Sequence, residues 1–334
     1  MEIITERFYS NLFRSSTPVS SPIVPTGEAP PRILPSEVRV AIKSMKPGTA
    51  SGPDFISADF LRAGGHPLHK EKIPDQWKTS RTVLIHKKGD REDLRNYRPI
   101  CLLSVLYKVF TKIILTRISR TLDEAQPQEQ AGFRQGFSCS DHNQTVSRVI
   151  EICREYRLPI VLTFVEHEKE FDSVEANAIL SALVDQGVDA SYVRKLANCC
   201  DRCTTRIQFF HRPLTIPIGK GVRQGDTISP KLFTAALQWI MKSLSWEERK
   251  KTQFMKNAHC EDGGVQLEGS QIVETPSYVY LGRSMKMEND LKEELNRRMR
   301  AAWAAFAAVR EATDQLTDQD LRAHLFDSTV LPAS

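Results

Sequence analysis

The sequence predicts an α+β protein. Three observations lead there: an apolar run with the length and composition of a buried strand, Leu158-Pro-Ile-Val-Leu-Thr-Phe-Val165; a helical period from Val105 to Leu122; and a stretch from Arg283 to Leu331 with neither Gly nor Pro. Strand and helix signals are mixed along the chain, and nothing repeats internally.

Taken in order, residues 15–35 hold several Pro and Ser without an apolar period and read as an extended linker behind a short N-terminal helix. Ser36 is expected to cap a helix carrying Val38, Ile42 and Met45 on one face, stopped by Pro47-Gly48. Thr49 to Asp54 is a turn of small residues, and Ser57 to Ala63 a short helix ended by Gly64-Gly65. Arg81 to His86 reads as a strand closed by the basic turn Lys87 to Asp90. In the helix from Val105, one face holds Leu106, Phe110, Ile113, Ile114 and Ile118. Lys108, Lys112, Arg117 and Arg120 lie elsewhere and are free to face a phosphate backbone.

The strand 158–165 is expected to be fully buried and ends abruptly in Glu166-His-Glu-Lys-Glu170. A helix from Ser173 to Gly187 follows, then a hairpin of 204–210 and 214–218 around His211-Arg-Pro213. Ser229-Pro230 opens a helix over 231–244. Near the C-terminus Leu291, Leu295, Met299, Ala302 and Phe306 recur every three or four residues, so that segment should be helical.

Composition sets the outer limits. The 334 residues are 40% hydrophobic and 26% charged, which suits a folded chain with one large core or two. No apolar run approaches the ~20 residues of a membrane helix, and the first residues lack the apolar core of a secretory signal, so a soluble intracellular protein is expected. The seven cysteines are odd in number and scattered, as reduced thiols would be. Cys200-x-x-Cys203 has the spacing of half a zinc site but no second half.

Net charge is only +5, yet residues 71–120 carry twelve Lys or Arg against five Asp or Glu. A basic strip of this kind suits a polyanion such as nucleic acid or a nucleoside triphosphate. Carboxylates at the end of a buried strand suit a metal. A glycine-rich turn such as Gly221-Val-Arg-Gln-Gly-Asp226 lets the backbone approach a ligand closely.

Three segments together carry a resemblance: Lys87-Lys-Gly-Asp-Arg91 with Leu94-Arg-Asn-Tyr-Arg-Pro-Ile-Cys-Leu-Leu103, then Phe164-Val-Glu-His-Glu-Lys-Glu-Phe-Asp-Ser173, then Gly221-Val-Arg-Gln-Gly-Asp-Thr-Ile-Ser-Pro230. In their order and spacing they resemble the reverse transcriptases of non-LTR retrotransposons (LINE-like, RTE-type). Gln130 to Gly136 and Tyr278 to Gly282 are similar to further family segments. The resemblance implies a fingers-palm-thumb polymerase fold: an N-terminal helix and linker over 1–35, fingers and palm over 36–284, and a helical thumb over 285–334. It also implies RNA-templated DNA synthesis with Mg as cofactor, and an RNA template, a DNA primer and deoxynucleotides as partners. By the same resemblance Lys87, Arg91 and Arg98 would meet the triphosphate, Phe171 would gate the sugar, and Gln224 and Gly225 would touch template base and nucleotide. Glu166 stands where the family places a catalytic, metal-binding Asp.

Two departures bear on activity. The family's Asp-Asp pair supplies the remaining metal carboxylates, and this chain has no Asp-Asp dipeptide anywhere. Internal deletions are expected at the 249/250 junction and near 70/71, and with them a truncated palm and an impaired polymerase. The extra methylene of Glu166 also shifts its carboxylate by more than ~1 Å, a displacement that costs on the order of 100-fold in a preorganised site. Asp172 is read as a cap for the following helix, not a metal ligand. A non-catalytic nucleic-acid-binding remnant is the alternative. A nuclease built on Glu166, Glu168, Glu170 and Asp172 has no second ligand set or nucleophile to support it.

Overall fold

The computed structural model describes residues 2–16, 19–64, 74–87, 89–130, 132–134, 136–165, 169–209, 212–243, 252–261, 263–267, 270–315 and 319–329. The chain runs α1 (Glu2–Phe13), α2 (Pro35–Lys43), α3 (Ala58–Gly64), β1 (Thr79–His86), β2 (Tyr97–Leu102), α4 (Val105–Ala125), α5 (Cys139–Glu155), β3 (Val161–Val165) and α6 (Glu170–Ser173). It continues through α7 (Ala176–Asp185), α8 (Ala190–Cys200), β4 (Cys203–Phe209), β5 (Arg212–Ile218), α9 (Ser229–Ser243), β6 (Thr252–Lys256), β7 (Gln266–Leu267) and β8 (Ser270–Gln271). The last elements are β9 (Val273–Glu274), β10 (Tyr278–Tyr280), β11 (Arg283–Met285), α10 (Lys292–Gln315) and α11 (Gln319–Thr329). The architecture is α+β, in two compact units: residues 1–135 with 168–245, and residues 136–167 with 246–334.

The first unit is built on a four-stranded sheet in the order β2-β1-β4-β5, with β1 and β4 parallel and the other pairs antiparallel. Alternation along its strands sends Thr82, Thr205, Ile207 and Ile216 inward, where α1 covers them with Tyr9 and Phe13. Helices α4, α7, α8 and α9 share a second core of Ile114, Ile118, Ile179, Leu183, Val193, Leu196, Leu232 and Ala236. On α2, Val38 and Ile42 do pack with Met45 against Val105, Val109 and Ile113 of α4.

Ser36 does not cap α2. The helix begins two residues earlier, with Pro35 in its first turn and Leu34 at the cap, and Glu37 reaches back to accept from the Leu34 amide at 2.7 Å. Proline's fixed φ suits the first helical position and displaces the start. The cations of α4 are also not free. Lys108 is buried, Lys112 donates to the Ser44 carbonyl, and Arg120 pairs with Glu124. Arg117 grips Glu37 through Nε and NH2, both at 2.7 Å, and donates to the carbonyls of Pro31 and Arg32. Lys108, Lys112 and Arg117 are thereby engaged between elements, while Arg120, with its side chain 88% exposed, pairs only along its own helix.

Residues 19–34 have no regular secondary structure, as a linker should, yet they are held along their length. Asn177 donates to the Val19 carbonyl, Arg194 to those of Pro25, Gly27 and Glu28, and Arg117 to the two just named.

In the second unit β3, β6 and β9 form a three-stranded sheet, β3 antiparallel and β9 parallel to the central β6. Its apolar face joins Ile150 of α5 to Phe164, Met255, Met285 and Met287, with the Phe164 ring stacked 4.0 Å from Tyr278. β3 is not the fully buried strand its composition predicts. It is an edge strand covered on one face, so Phe164 is buried while Val161 is 43% exposed. A continuous apolar run cannot distinguish burial on one face from burial on two. Leu281 and Gly282, both at positive φ, make the two-residue turn between β10 and β11.

The C-terminal segment is helical. Helix α10 is tied to β11 by Glu294, only 4% exposed, which accepts from the Ser284 amide at 2.8 Å, from Arg297 and from Arg298. Burial pushes this carboxyl up, but the hydrogen bonds from Arg297, Arg298 and the Ser284 amide prevail and hold it at about 2. The stability it contributes is therefore fully present above its unfolded value near pH ~4.5 and is lost as pH falls towards 2. Glu294→Gln should cost about 2 kcal/mol in urea unfolding at pH 7. The difference from the parent chain should shrink as the titration moves below pH 4.

Candidate functional site

The hairpin that carries the proposed cations is also the one that receives the glycine-rich turn, both in the first unit. β1 and β2 form a hairpin in which Ile85 faces Arg98 and Val83 faces Ile100, and the Lys87 amide donates to the Asn96 carbonyl to close its loop. Lys87, Arg91 and Arg98 are all exposed on this hairpin. Arg91 is held through its backbone, its carbonyl accepting from the Tyr97 hydroxyl at 2.9 Å. Gly89 sits at φ +95, and a Cβ there would meet the Asn96 side chain at 2.9 Å. Lys88 lies outside the described residues.

The far end of β2 receives the turn 221–225. The Cys101 amide donates to the Gln224 carbonyl at 2.8 Å. Gly225 adopts φ +114, and a Cβ on it would lie 2.6 Å from the Cys101 carbonyl oxygen, so only glycine fits. The start of the same turn is bound to the segment around α6: the Gly221 amide donates to Val174 at 2.6 Å and the Val222 amide to Phe171 at 2.7 Å. Three stretches far apart in sequence are thereby joined backbone to backbone.

Phe171 stacks on Phe233 of α9 at 4.8 Å, and Phe133 meets its ring edge-on at 6.0 Å. Behind it, Asp172 is 4% exposed and accepts from Gln224 Nε2 through Oδ1 at 3.0 Å and Oδ2 at 3.1 Å. Asp172 does not cap the next helix. That position falls to Glu175, because Asp172 is turned inward within the single turn of α6. Burial pushes Asp172 up to about 6, opposed by the Gln224 hydrogen bonds and the charges of Lys169 and Arg98, with Glu170 adding to the rise. The buried Tyr9 hydroxyl is also raised, first by burial and then by the charge of Asp172, and it has no hydrogen-bond partner among the described residues.

Beneath the turn, Arg223 is fixed by the carbonyls of Trp77 and Cys199 and by Cys203 Sγ at 2.5 Å, and its guanidinium lies 5.2 Å from the centre of the Tyr107 ring. Asp226 is buried and accepts from Thr111 at 2.7 Å. Cys199 and Cys203 are thus packing groups around Arg223, and both are free thiols.

Glu166 lies outside the described residues, as do Glu168 and the 70/71 and 249/250 junctions. Among the described residues no three His, Cys, Asp or Glu side chains gather where they could hold a metal ion. The described side chains therefore do not form a two-metal set, and no chemical step is derived through one. The site brings together Arg98, Phe171, Gln224 and Gly225. Sequence reasoning missed that Asp172, Cys101 and Tyr9 belong with them. The partners of Asp172 and Cys101 are 52 and 123 positions away, where no local spacing rule reaches.

Comparisons with known proteins place the chain in a family. The family described as "Reverse transcriptase (RNA-dependent DNA polymerase)" matches residues 85–260, more than half of the chain. This chain belongs to the reverse transcriptase family. It is similar to a protein named as a retrovirus-related Pol polyprotein from the type-1 retrotransposable element R2 of Popillia japonica, 30% identical over 64% of this chain and 31% of that protein. In Drosophila melanogaster it is similar to a probable RNA-directed DNA polymerase from transposon BS, 28% identical over 69% of this chain and 26% of the relative. A putative 115 kDa protein in the R1DM element, also of Drosophila melanogaster, is 28% identical over 70% of this chain and 24% of its own length. The chain spans a third or less of these relatives. Among the described residues no helix is long and apolar enough to cross a membrane.

Two outcomes follow for the reverse transcriptase turn. Gly225→Ala should lower stability by at least ~2 kcal/mol in urea unfolding, since it adds both backbone strain and a steric overlap. Because Asp172 keeps its proton to about pH 6 in the folded chain and loses it near ~4 when unfolded, stability should fall as pH rises from 4 to 6 and then level off. The loss should be roughly 3 kcal/mol and absent in Asp172→Asn.

Proposed function

We propose that this chain is the reverse transcriptase part of a non-LTR (LINE-like, RTE-type) retroelement protein, which holds RNA template, DNA primer and deoxynucleotide but is impaired in nucleotidyl transfer. In this reading the fingers and a truncated palm occupy 36–284, a helical thumb occupies 285–334, and the N-terminal helix and linker occupy 1–35. The observation that carries it is the convergence, in one unit, of the exposed Arg98 hairpin, the Phe171 ring and the Gln224–Gly225 turn.

The electrostatics favour a polyanion. Arg81 and Arg206 are register neighbours on β1 and β4, both exposed, on the same face as Val83, Ile85 and Arg98. Like charges side by side on a sheet repel, and a phosphate backbone laid across them relieves the repulsion. Lys87 and Arg91 at the hairpin end extend the same field towards a triphosphate.

Impairment is argued from the carboxylates. Transfer with Mg needs several of them close together, and this chain offers Glu166 in place of Asp and no Asp-Asp pair. The second reading, a nucleic-acid-binding remnant without turnover, keeps the grip and drops the chemistry altogether.

Binding tests the grip that both readings share, and primer extension separates them. Binding of a labelled RNA–DNA duplex, followed by anisotropy against salt, should weaken steeply, and Arg98→Ala should reduce the log–log slope by ~1. Primer extension on an RNA template with Mg should be undetectable for the chain as it stands. It should appear after Glu166→Asp and insertion of a hairpin carrying the Asp-Asp pair. Extension by the parent chain would overturn the impairment, and none after restoration would favour the remnant.

A further inference from the structure

The turn 221–225 is fixed through its backbone, but nothing in those bonds orients the side chain of Gln224. That side chain is half-buried and would otherwise sample several rotamers, at a cost of up to ~2 kcal/mol when a ligand freezes it. Among the described residues the group that holds it is Asp172, whose two oxygens both lie within 3.1 Å of Nε2.

A carboxylate has only acceptors to offer, so it dictates which way round the amide sits. The NH2 end must turn inward to Asp172, and Oε1 is left outward without a protein partner among the described residues. Asp172 is in turn held on both sides. Its amide donates to the Lys169 carbonyl at 2.9 Å, and a Cβ on Gly221 would lie 3.1 Å from its Cα and carbonyl oxygen. The groups facing it are Gln224, Lys169, Glu170, Arg98 and the Tyr9 hydroxyl.

Burial makes this arrangement a poor source of stability. A carboxyl pushed up by desolvation gains less from one neutral amide than it loses from leaving water. An apolar group of the same shape would serve the core at least as well, so the role of Asp172 lies elsewhere.

From this we infer that Asp172 is a positioning residue for nucleotide binding: it presents Gln224 with its amide oxygen outward, as a fixed hydrogen-bond acceptor for a donor group of the incoming deoxynucleotide. The inference rests on the reading of the site as a reverse transcriptase nucleotide pocket. It adds a residue that touches no ligand and acts only through Gln224.

The test uses the full chain with a labelled RNA–DNA template–primer, Mg and a matched deoxynucleotide triphosphate. The deoxynucleotide-dependent slowing of template–primer dissociation under heparin challenge gives an apparent nucleotide affinity, which needs no turnover. Asp172→Leu should leave template–primer affinity within about twofold and melting temperature unchanged or higher, while nucleotide affinity falls by roughly tenfold or more. Asp172→Asn, which keeps one acceptor at the same place, should hold nucleotide affinity within about threefold.

A structural role predicts the reverse for Asp172→Leu: a lower melting temperature with unchanged nucleotide affinity, which would overturn the inference. So would a loss of roughly tenfold in the Asn variant, the outcome that decides the matter if the Leu variant does not fold. If the parent chain itself shows no nucleotide effect on a duplex it does bind, the pocket reading fails, and the inference fails with it.

Discussion

β2 is the outermost strand of its sheet, and its free edge needs partners as much as its paired edge does. The glycine-rich turn meets that need, taking the Cys101 amide into a 2.8 Å hydrogen bond with the Gln224 carbonyl. The approach is close enough that a Cβ at position 225 would overlap the Cys101 carbonyl. The rest of the site hangs on this contact. It sets the distance between the cationic hairpin and the turn, and the turn brings the Phe171 segment with it through Gly221 and Val222.

Much of the scaffold was legible because its signals are local. The 105–122 period and the hairpin around residues 211–213 each needed one stretch of sequence and one period, and each became the element expected, with ends moved by a few residues; the Gly- and Pro-free C-terminus turned helical only from Lys292, after the strand Arg283–Met285. What misled was burial. The run at 158–165 is apolar on both faces, yet β3 lies at an edge; Lys108 and Arg117 read as solvent-facing cations, yet one is buried and the other grips Glu37 and the linker. Long side chains with apolar stems fit either environment, and only the partner decides.

The site divides in the same way. Gly225 was legible as a close-approach glycine, and Phe171 only through the family resemblance. The role of Asp172 was not, since its position one residue past Phe171 fits a helix cap equally well. Its partner Gln224 is set by folding over a long separation, and sequence spacing carries no trace of it.

The linker offers a last consequence. Asn177, Arg194 and Arg117 hold residues 19–32 through main-chain carbonyls, and only Val24 and Ile33 of the segment's apolar side chains reach a core. A grip on carbonyls is blind to residue identity. Mutations can therefore accumulate along this strap while its path over the helices is kept, so relatives will preserve its course long after they have lost any resemblance in its letters. The signature to look for in them is not the strap itself but the two arginines and one asparagine that fasten it.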